Sequence, residues 1–210
     1  MARLRRLWST QTQTLEEIRK RARLLVIDDH QFPFQKLFER DGYSIDRWNK
    51  IENISQLTDN GFDVILLDLH GVGLRESPHL QGLGVLEHVK ARSPLQLVVA
   101  YSAQDWSPGY SEFFGLADAV LAKDSPYLDF KEKVDSLLVS RYSPGFYIER
   151  MNSILADQAA QVPKAVKYAN KALKSGSSDS FRDYLAGRVL DEVTIDRVLQ
   201  VIGIGIAIFK

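Results

Sequence analysis

The sequence predicts an α/β fold: a five-stranded parallel sheet covered on both faces by helices, followed by a mainly α-helical C-terminal extension. Three observations predict it. Short continuous apolar runs, of the kind that form strands buried on both faces, recur between residues 24 and 122. Segments with helical spacing separate them, and strands alternating with helices build parallel sheets because each crossover needs a helix. After Ser143-Pro144-Gly145 the strand pattern stops and helical patterns take over.

Each element has its own warrant. Thr14-Leu15-Glu16-Glu17 has the Thr-x-x-Glu form of a capping box and predicts a short helix leading into the first strand. That strand lies in Arg23–Asp28, with Leu24, Leu25, Val26 and Ile27 in succession. Gln31–Arg40 spaces Phe34, Leu37 and Phe38 helically, and Asp41-Gly42 ends it. Tyr43–Trp48 reads as a second strand, Ile54–Thr58 as a short helix, and Phe62–Leu67 as a third strand. A helix over Leu83–Arg92 is stopped by Ser93-Pro94, since the residue before proline disfavours the α region. Leu95–Ala100 and Ala117–Ala122 supply strands four and five, and Tyr127–Arg141 a closing helix. Further helices are expected over Phe146–Gln161, from Pro163 to Lys174, and from Asp179 to Leu190 with Ser178 as cap. The end is ambiguous: Ile202, Ile204, Ile206 and Ile208 alternate like a strand, whereas Gly203 and Ala207 are spaced like the close-packing face of a helix.

Composition limits the function classes. At 210 residues, 45% hydrophobic and 26% charged, the chain is globular and long enough for a real core. With no cysteine there is no disulfide framework, zinc–thiolate site or iron–sulfur cluster. No apolar run approaches the roughly 20 residues a membrane helix needs, so no membrane span and a cytoplasmic location are expected. The 27 basic and 27 acidic side chains cancel, which excludes a polycation built for nucleic acid. The cancellation hides three unlike segments. Residues 1–23 carry seven basic and two acidic side chains, residues 24–142 eleven and eighteen, and residues 143–210 nine and seven, giving +5, −7 and +2. The chain is therefore read as a basic N-terminal segment with a short helix (1–23), an α/β domain (24–142) and a helical output or dimerisation region (143–210). Arg3, Arg5 and Arg6 beside Trp8 are read as a solvated end.

In a parallel α/β sheet, ligands bind outside the carboxyl ends of the strands. Strand one ends in Asp28-Asp29, strand three in Asp68, strand four in Ser102 and strand five in Lys123. Each is unremarkable alone; a lone Asp after a strand is usually a helix cap. Three carboxylates, a hydroxyl and an ammonium on one edge are not explained that way.

These residues carry a resemblance. Asp28-Asp29, Leu66-Leu67-Asp68, Tyr101-Ser102-Ala103 and Ala122-Lys123, in that order, make residues 24–142 similar to the receiver domain of two-component response regulators. The resemblance implies a doubly wound sheet of order 2-1-3-4-5. It implies Asp68 as phosphoacceptor, with Asp29, Asp68 and the backbone carbonyl of His70 on Mg²⁺ and Asp28 assisting through water; hard oxygen donors suit that ion. Ser102 and Lys123 would contact phosphoryl oxygens, a difference between states that lets phosphorylation shift a conformational equilibrium. The chain would be a phosphoacceptor rather than a dedicated enzyme, served by a sensor histidine kinase or phosphotransfer protein. Its tail would act on a downstream protein partner or form a homodimer.

The chain also departs from the family. Val72 stands where a proline usually follows the phosphoacceptor, Asp124 replaces the proline after the lysine, and Val120 replaces the usual aromatic. The loop from Leu69 to Gln81 is longer than usual. A receiver-like interaction module that no longer switches is therefore an alternative. An aspartate-based phosphotransferase or phosphatase of another α/β family is another, although His70 occupies the place of its second Asp. A DNA-binding output is a further alternative, with no basic recognition helix legible in the tail. Gly71-Val72-Gly73 and Gly82-Leu83-Gly84 read as flexible loop, and His70 and His79 as solvated loop residues. None of the four histidines (His30, His70, His79, His88) lies in 143–210, so the tail is no histidine phosphotransfer module.

Overall fold

In the computed structural model, residues 13–51, 53–59, 61–103 and 115–210 are described. Arg3, Arg5, Arg6 and Trp8 lie outside them. The chain forms two compact units, Met1–Leu138 and Val139–Lys210.

The first unit is built on five strands: β1 (Arg23–Ile27), β2 (Ser44–Trp48), β3 (Val64–Asp68), β4 (Leu97–Ser102) and β5 (Ala119–Ala122). All neighbours are parallel, in the order β2-β1-β3-β4-β5. This is the doubly wound order that the resemblance implied. The three central strands hold the continuous apolar runs and are buried on both faces, whereas β2 and β5 are only partly covered. Because side chains alternate across a strand, one face offers Leu25, Ile27, Ile65, Leu67, Val98 and Ala100 to Leu83, Leu86 and Val89 of α4 (Gly82–Arg92). The opposite face carries an aromatic layer in which Phe32, Phe38, Tyr101 and Phe130 pack ring on ring. Phe38 comes from α2 (Gln35–Arg40) and Phe130 from α5 (Tyr127–Arg141). Leu57, on α3 (Gln56–Asp59), joins the first face.

The expected boundaries move in ways that matter. Helix α2 starts at Gln35 rather than Gln31, because a residue before proline, here Phe32, disfavours the α region and Phe32 is committed to the aromatic layer. Strand β4 begins two residues late and runs through Ser102, so Tyr101 and Ser102 are inside the sheet, beside Asp68 and Ala122. Gly82-Leu83-Gly84 is the first turn of α4 rather than a flexible loop. Glycine is needed there because a Cβ on Gly82 would strike the backbone of Asp68 and Leu69.

Helix α1 (Leu15–Arg21) has the expected capping box, with Thr14 and Glu17 bonded reciprocally. The Arg19 guanidinium grips Asp135 on α5 through two bonds of 2.9 and 2.5 Å, and the Tyr43 hydroxyl and the Lys131 ammonium donate to the same carboxylate. Burial alone would raise the Asp135 carboxyl, but the bonds from Arg19, Tyr43 and Lys131 outweigh it and hold the group below its ordinary range. Its stabilisation is therefore complete above the unfolded value, near pH 4, and is lost as pH falls through the lower folded value. Asp135→Asn should cost about 2 kcal/mol at pH 7, with the gap to wild type closing below about pH 4. Urea unfolding at pH 7 and pH 3 checks both statements.

The second unit contains α6 (Pro144–Ile154), a 3₁₀ turn (Ala156–Gln161), α7 (Ala165–Ser175), α8 (Asp179–Ala186) and α9 (Glu192–Phe209). The single helix expected over Phe146–Gln161 breaks at Leu155, which is buried, and Pro163 prevents continuation. Helix α8 ends at Ala186 rather than Leu190, and the capping hydroxyl comes from Ser177, which accepts from the Asp179 N–H, rather than from Ser178. The ambiguous end is helix. Asp191 caps α9 by accepting the Thr194 N–H at 2.8 Å, and Val198, Leu199, Val201, Ile202, Gly205 and Ile206 form the buried stripe. The close-packing residue is Gly205, whose Cβ would meet Tyr147 and Leu173; Gly203, singled out by spacing, has open space around it. Among the described residues, no helix is long and apolar enough to cross a membrane.

Candidate functional site

Parallel strands bring their C-terminal ends to one edge, and the polar residues there meet. Asp28 and Asp29 follow β1, Asp68 and Ser102 close β3 and β4, and Lys123 follows β5. The Lys123 ammonium bridges Asp68 and, at 3.2 Å, Asp28. Asp28 is fully buried, and its carboxylate also accepts the His30 N–H and the Tyr101 hydroxyl, each at 2.9 Å. Asp68, also buried, accepts the His70 N–H at 3.1 Å. Asp29 is more open and lies against Gly71, whose positive φ of 79° suits glycine and whose missing Cβ leaves room for that carboxylate. The Gly71 N–H is held by the Gln81 amide oxygen at 2.9 Å.

Charge and burial oppose each other here. Burial pushes the Asp68 carboxyl upward, against the hydrogen bond and charge of Lys123 and the His70 N–H. Burial would lower the Lys123 ammonium, but Asp68 and Asp28 outweigh it and hold the group above its usual range, so it stays charged. One ammonium thus serves two buried carboxylates, with Asp29 beside them. The donors are carboxylate oxygens with no sulfur, a set that fits a hard divalent cation such as Mg²⁺.

Asp28, Asp68 and Lys123 meet directly, and Asp29 flanks them. Ser102 is buried in β4, with its hydroxyl 2.7 Å from His70 Nδ1. His70 is therefore not a solvated loop residue: its N–H holds Asp68 and its ring holds Ser102. Three further contacts escape sequence reasoning. Tyr101 bonds Asp28 from within an apolar run, with only its phenol oxygen as signal. Arg47, on β2, donates to the carbonyls of Asp28 and His30 and fastens the β1 loop. His30 places Nδ1 at 2.9 Å from Asp29, and ligand atoms of Asp28, Asp29 and His30 all lie within 4.8 Å of one another.

These features define a class: a doubly wound α/β protein with an acidic site at the β1/β3 switch point, where the strand order reverses. No protein-family model matches the chain, and no curated protein matches it. Solved structures similar to it include response regulators and their receiver domains. A CheY-like receiver domain protein from Methanospirillum hungatei JF-1 is 22% identical, with a TM-score of 0.47, over 56% of this chain and 93% of its own. The receiver domain of Francisella response regulator 1452 is 23% identical, with a TM-score of 0.47, over 58% and 99%. The response regulator TrrA from Thermotoga maritima, solved in complex with Mg²⁺ and a beryllofluoride, is 22% identical, with a TM-score of 0.44, over 55% and 98%.

Proposed function

We propose that the chain is a cytoplasmic response regulator of a two-component phosphorelay, taking a phosphoryl group on Asp68 and signalling through its helical tail. The observation that carries this reading is the Lys123 ammonium bridging Asp28 and Asp68 at the sheet edge. An Asp68 oxygen forms the bond to phosphorus, while the bond from phosphorus to the donor histidine of a sensor kinase or phosphotransfer protein breaks. The imidazole leaves with the electron pair and takes up a proton. Lys123 would pair with a phosphoryl oxygen, and the Ser102 hydroxyl would donate to another once turned from His70. Asp29, Asp68 and the His70 carbonyl would hold Mg²⁺, with Asp28 acting through water; the bound ion supplies neutralisation of the carboxylates and the incoming phosphoryl oxygens. The chain shares in its own phosphorylation and is not a dedicated enzyme. The tail acts on a downstream protein or a second copy.

The decisive test is phosphoryl incorporation from acetyl phosphate with Mg²⁺, read by intact-mass spectrometry. Wild type should gain one phosphoryl group, and Asp68→Asn should lose the signal entirely. Incorporation that survives Asp68→Asn, or that needs no divalent cation, would overturn the assignment. A second reading, a module that binds its partner without switching, is favoured by Val72, Val120 and Asp124 and by the Ser102 hydroxyl already engaged with His70. It requires partner affinity equal for wild type and Asp68→Ala.

A further inference from the structure

We propose that the His70 imidazole is a positioning residue: it holds the Ser102 hydroxyl in reserve and sets how strongly a group on Asp68 must bind to displace it. The inference rests on the phosphoacceptor reading above and deepens it, since that reading gives His70 only a role for its backbone carbonyl.

The first ground is the surroundings of the hydroxyl. Ser102 is 4% exposed, which leaves water little access, and His70 Nδ1 stands 2.7 Å from its oxygen. The one side-chain hydrogen bond of His70 among the described residues is made by Nδ1. With no such partner at Nε2, that nitrogen keeps the ring proton, and Nδ1 is left to accept the proton of Ser102.

The second ground is anchorage. The His70 N–H is bonded to Asp68 at 3.1 Å, and the next residue, Gly71, is held by the Gln81 amide oxygen at 2.9 Å. The imidazole therefore sits on backbone tied to the acceptor carboxylate itself. Ser102 needs only rotation about single bonds, between staggered wells, to change partner.

The third ground is a count of protons. A serine hydroxyl has one, and a phosphoryl oxygen ionised on Asp68 has none, so the bond to Nδ1 and a bond to the phosphoryl group exclude each other. The charge-assisted bond is the stronger, so the phosphoryl group wins, but its gain is reduced by the neutral bond it displaces. Lys123 is engaged in the same way, bridging Asp68 and Asp28. Occupation of the site is thus an exchange of partners, and His70 sets part of its threshold.

Beryllofluoride, a phosphoryl mimic, titrated into the full chain at saturating Mg²⁺ tests the proposal, with the imidazole nitrogens followed by NMR at a pH that keeps the ring neutral. In wild type, His70 Nδ1 should carry no proton, and its resonance should shift on saturation as Ser102 leaves. His70→Ala should tighten beryllofluoride binding about fivefold, the worth of one neutral hydrogen bond. His70→Asn, whose amide oxygen can accept in place of Nδ1, should return the affinity to the wild-type value. In a Ser102→Ala background His70→Ala should change nothing, whereas a merely structural residue would change affinity equally in both backgrounds. A protonated Nδ1 in the resting chain, an affinity that falls or stays level in His70→Ala, or an equal change in both backgrounds would overturn the proposal. Each of these leaves the phosphoacceptor reading standing while wild type binds beryllofluoride; wild type that binds none overturns that reading and the inference together.

Discussion

Lys123→Ala is expected to destabilise the first unit by about 3–5 kcal/mol in Mg²⁺-free buffer, the cost of removing one partner from a buried charge cluster. Lys123 is the cation that both buried carboxylates share, and the substitution leaves them facing each other across the sheet edge. Asp28 keeps the His30 N–H and the Tyr101 hydroxyl, whereas Asp68 keeps only the His70 N–H among its described side-chain bonds. The loss therefore falls mainly on Asp68. If a divalent cation binds these oxygens, it should recover much of the deficit: a free ion at a hundredfold excess over its dissociation constant contributes about 2.7 kcal/mol. Urea unfolding of wild type and variant, with and without MgCl₂, measures both effects. A variant as stable as wild type, or one that Mg²⁺ leaves unimproved, would show that carboxylate repulsion does not govern this edge.

The second large effect concerns α9. Gly205→Ala should destabilise the second unit by about 1–3 kcal/mol, while Gly203→Ala should stabilise it by up to about 1 kcal/mol. The two glycines are one residue apart from being neighbours, yet they face different surroundings. A Cβ on Gly205 would lie 2.8 Å from the root of the Tyr147 ring and 2.7 Å from a Leu173 methyl, and both residues are buried. Tyr147 cannot yield without moving its helix. At Gly203 nothing lies within 4 Å, so alanine adds helix propensity without a clash. Chemical denaturation of the two variants should give midpoint shifts of opposite sign, and shifts of the same sign would refute this packing.

The pattern of what could be read in advance has a physical cause. Central strands are buried on both faces, so their sequence is a continuous apolar run, and the first polar residue after each run marks the sheet edge. That made Asp28 and Asp68 legible before any contact was known, Lys123 is legible as the first charge after the shorter apolar run of β5, and the Thr14 capping box is legible because it is local. Contacts fixed by strand register were not. The bond from Tyr101 to Asp28 spans 73 positions and that from His70 to Ser102 spans 32, and neither spacing marks the pair in the chain. Nothing in the sequence around Arg47 ties it to the β1 loop, 17 to 19 positions away. Gly82 read as a loop residue because its reason for being glycine is another segment's backbone. Spacing also favoured Gly203 over Gly205, since periodicity tells which residues share a face but not which face another helix covers.

The clamp from Arg47 has a dynamic consequence. Strand β2 is outermost, with β1 as its single neighbour, and edge elements are where native structures open most readily. Yet its Arg47 guanidinium and the Trp48 carbonyl, which accepts the Asp28 N–H at 3.1 Å, help to hold the acidic loop in shape. Fraying of this one strand therefore releases the loop as well. In amide hydrogen exchange, Asp28 and the residues of β2 should open as one cooperative unit. The lifetime of the ordered loop is then set by the weakest border of the sheet rather than by its buried centre.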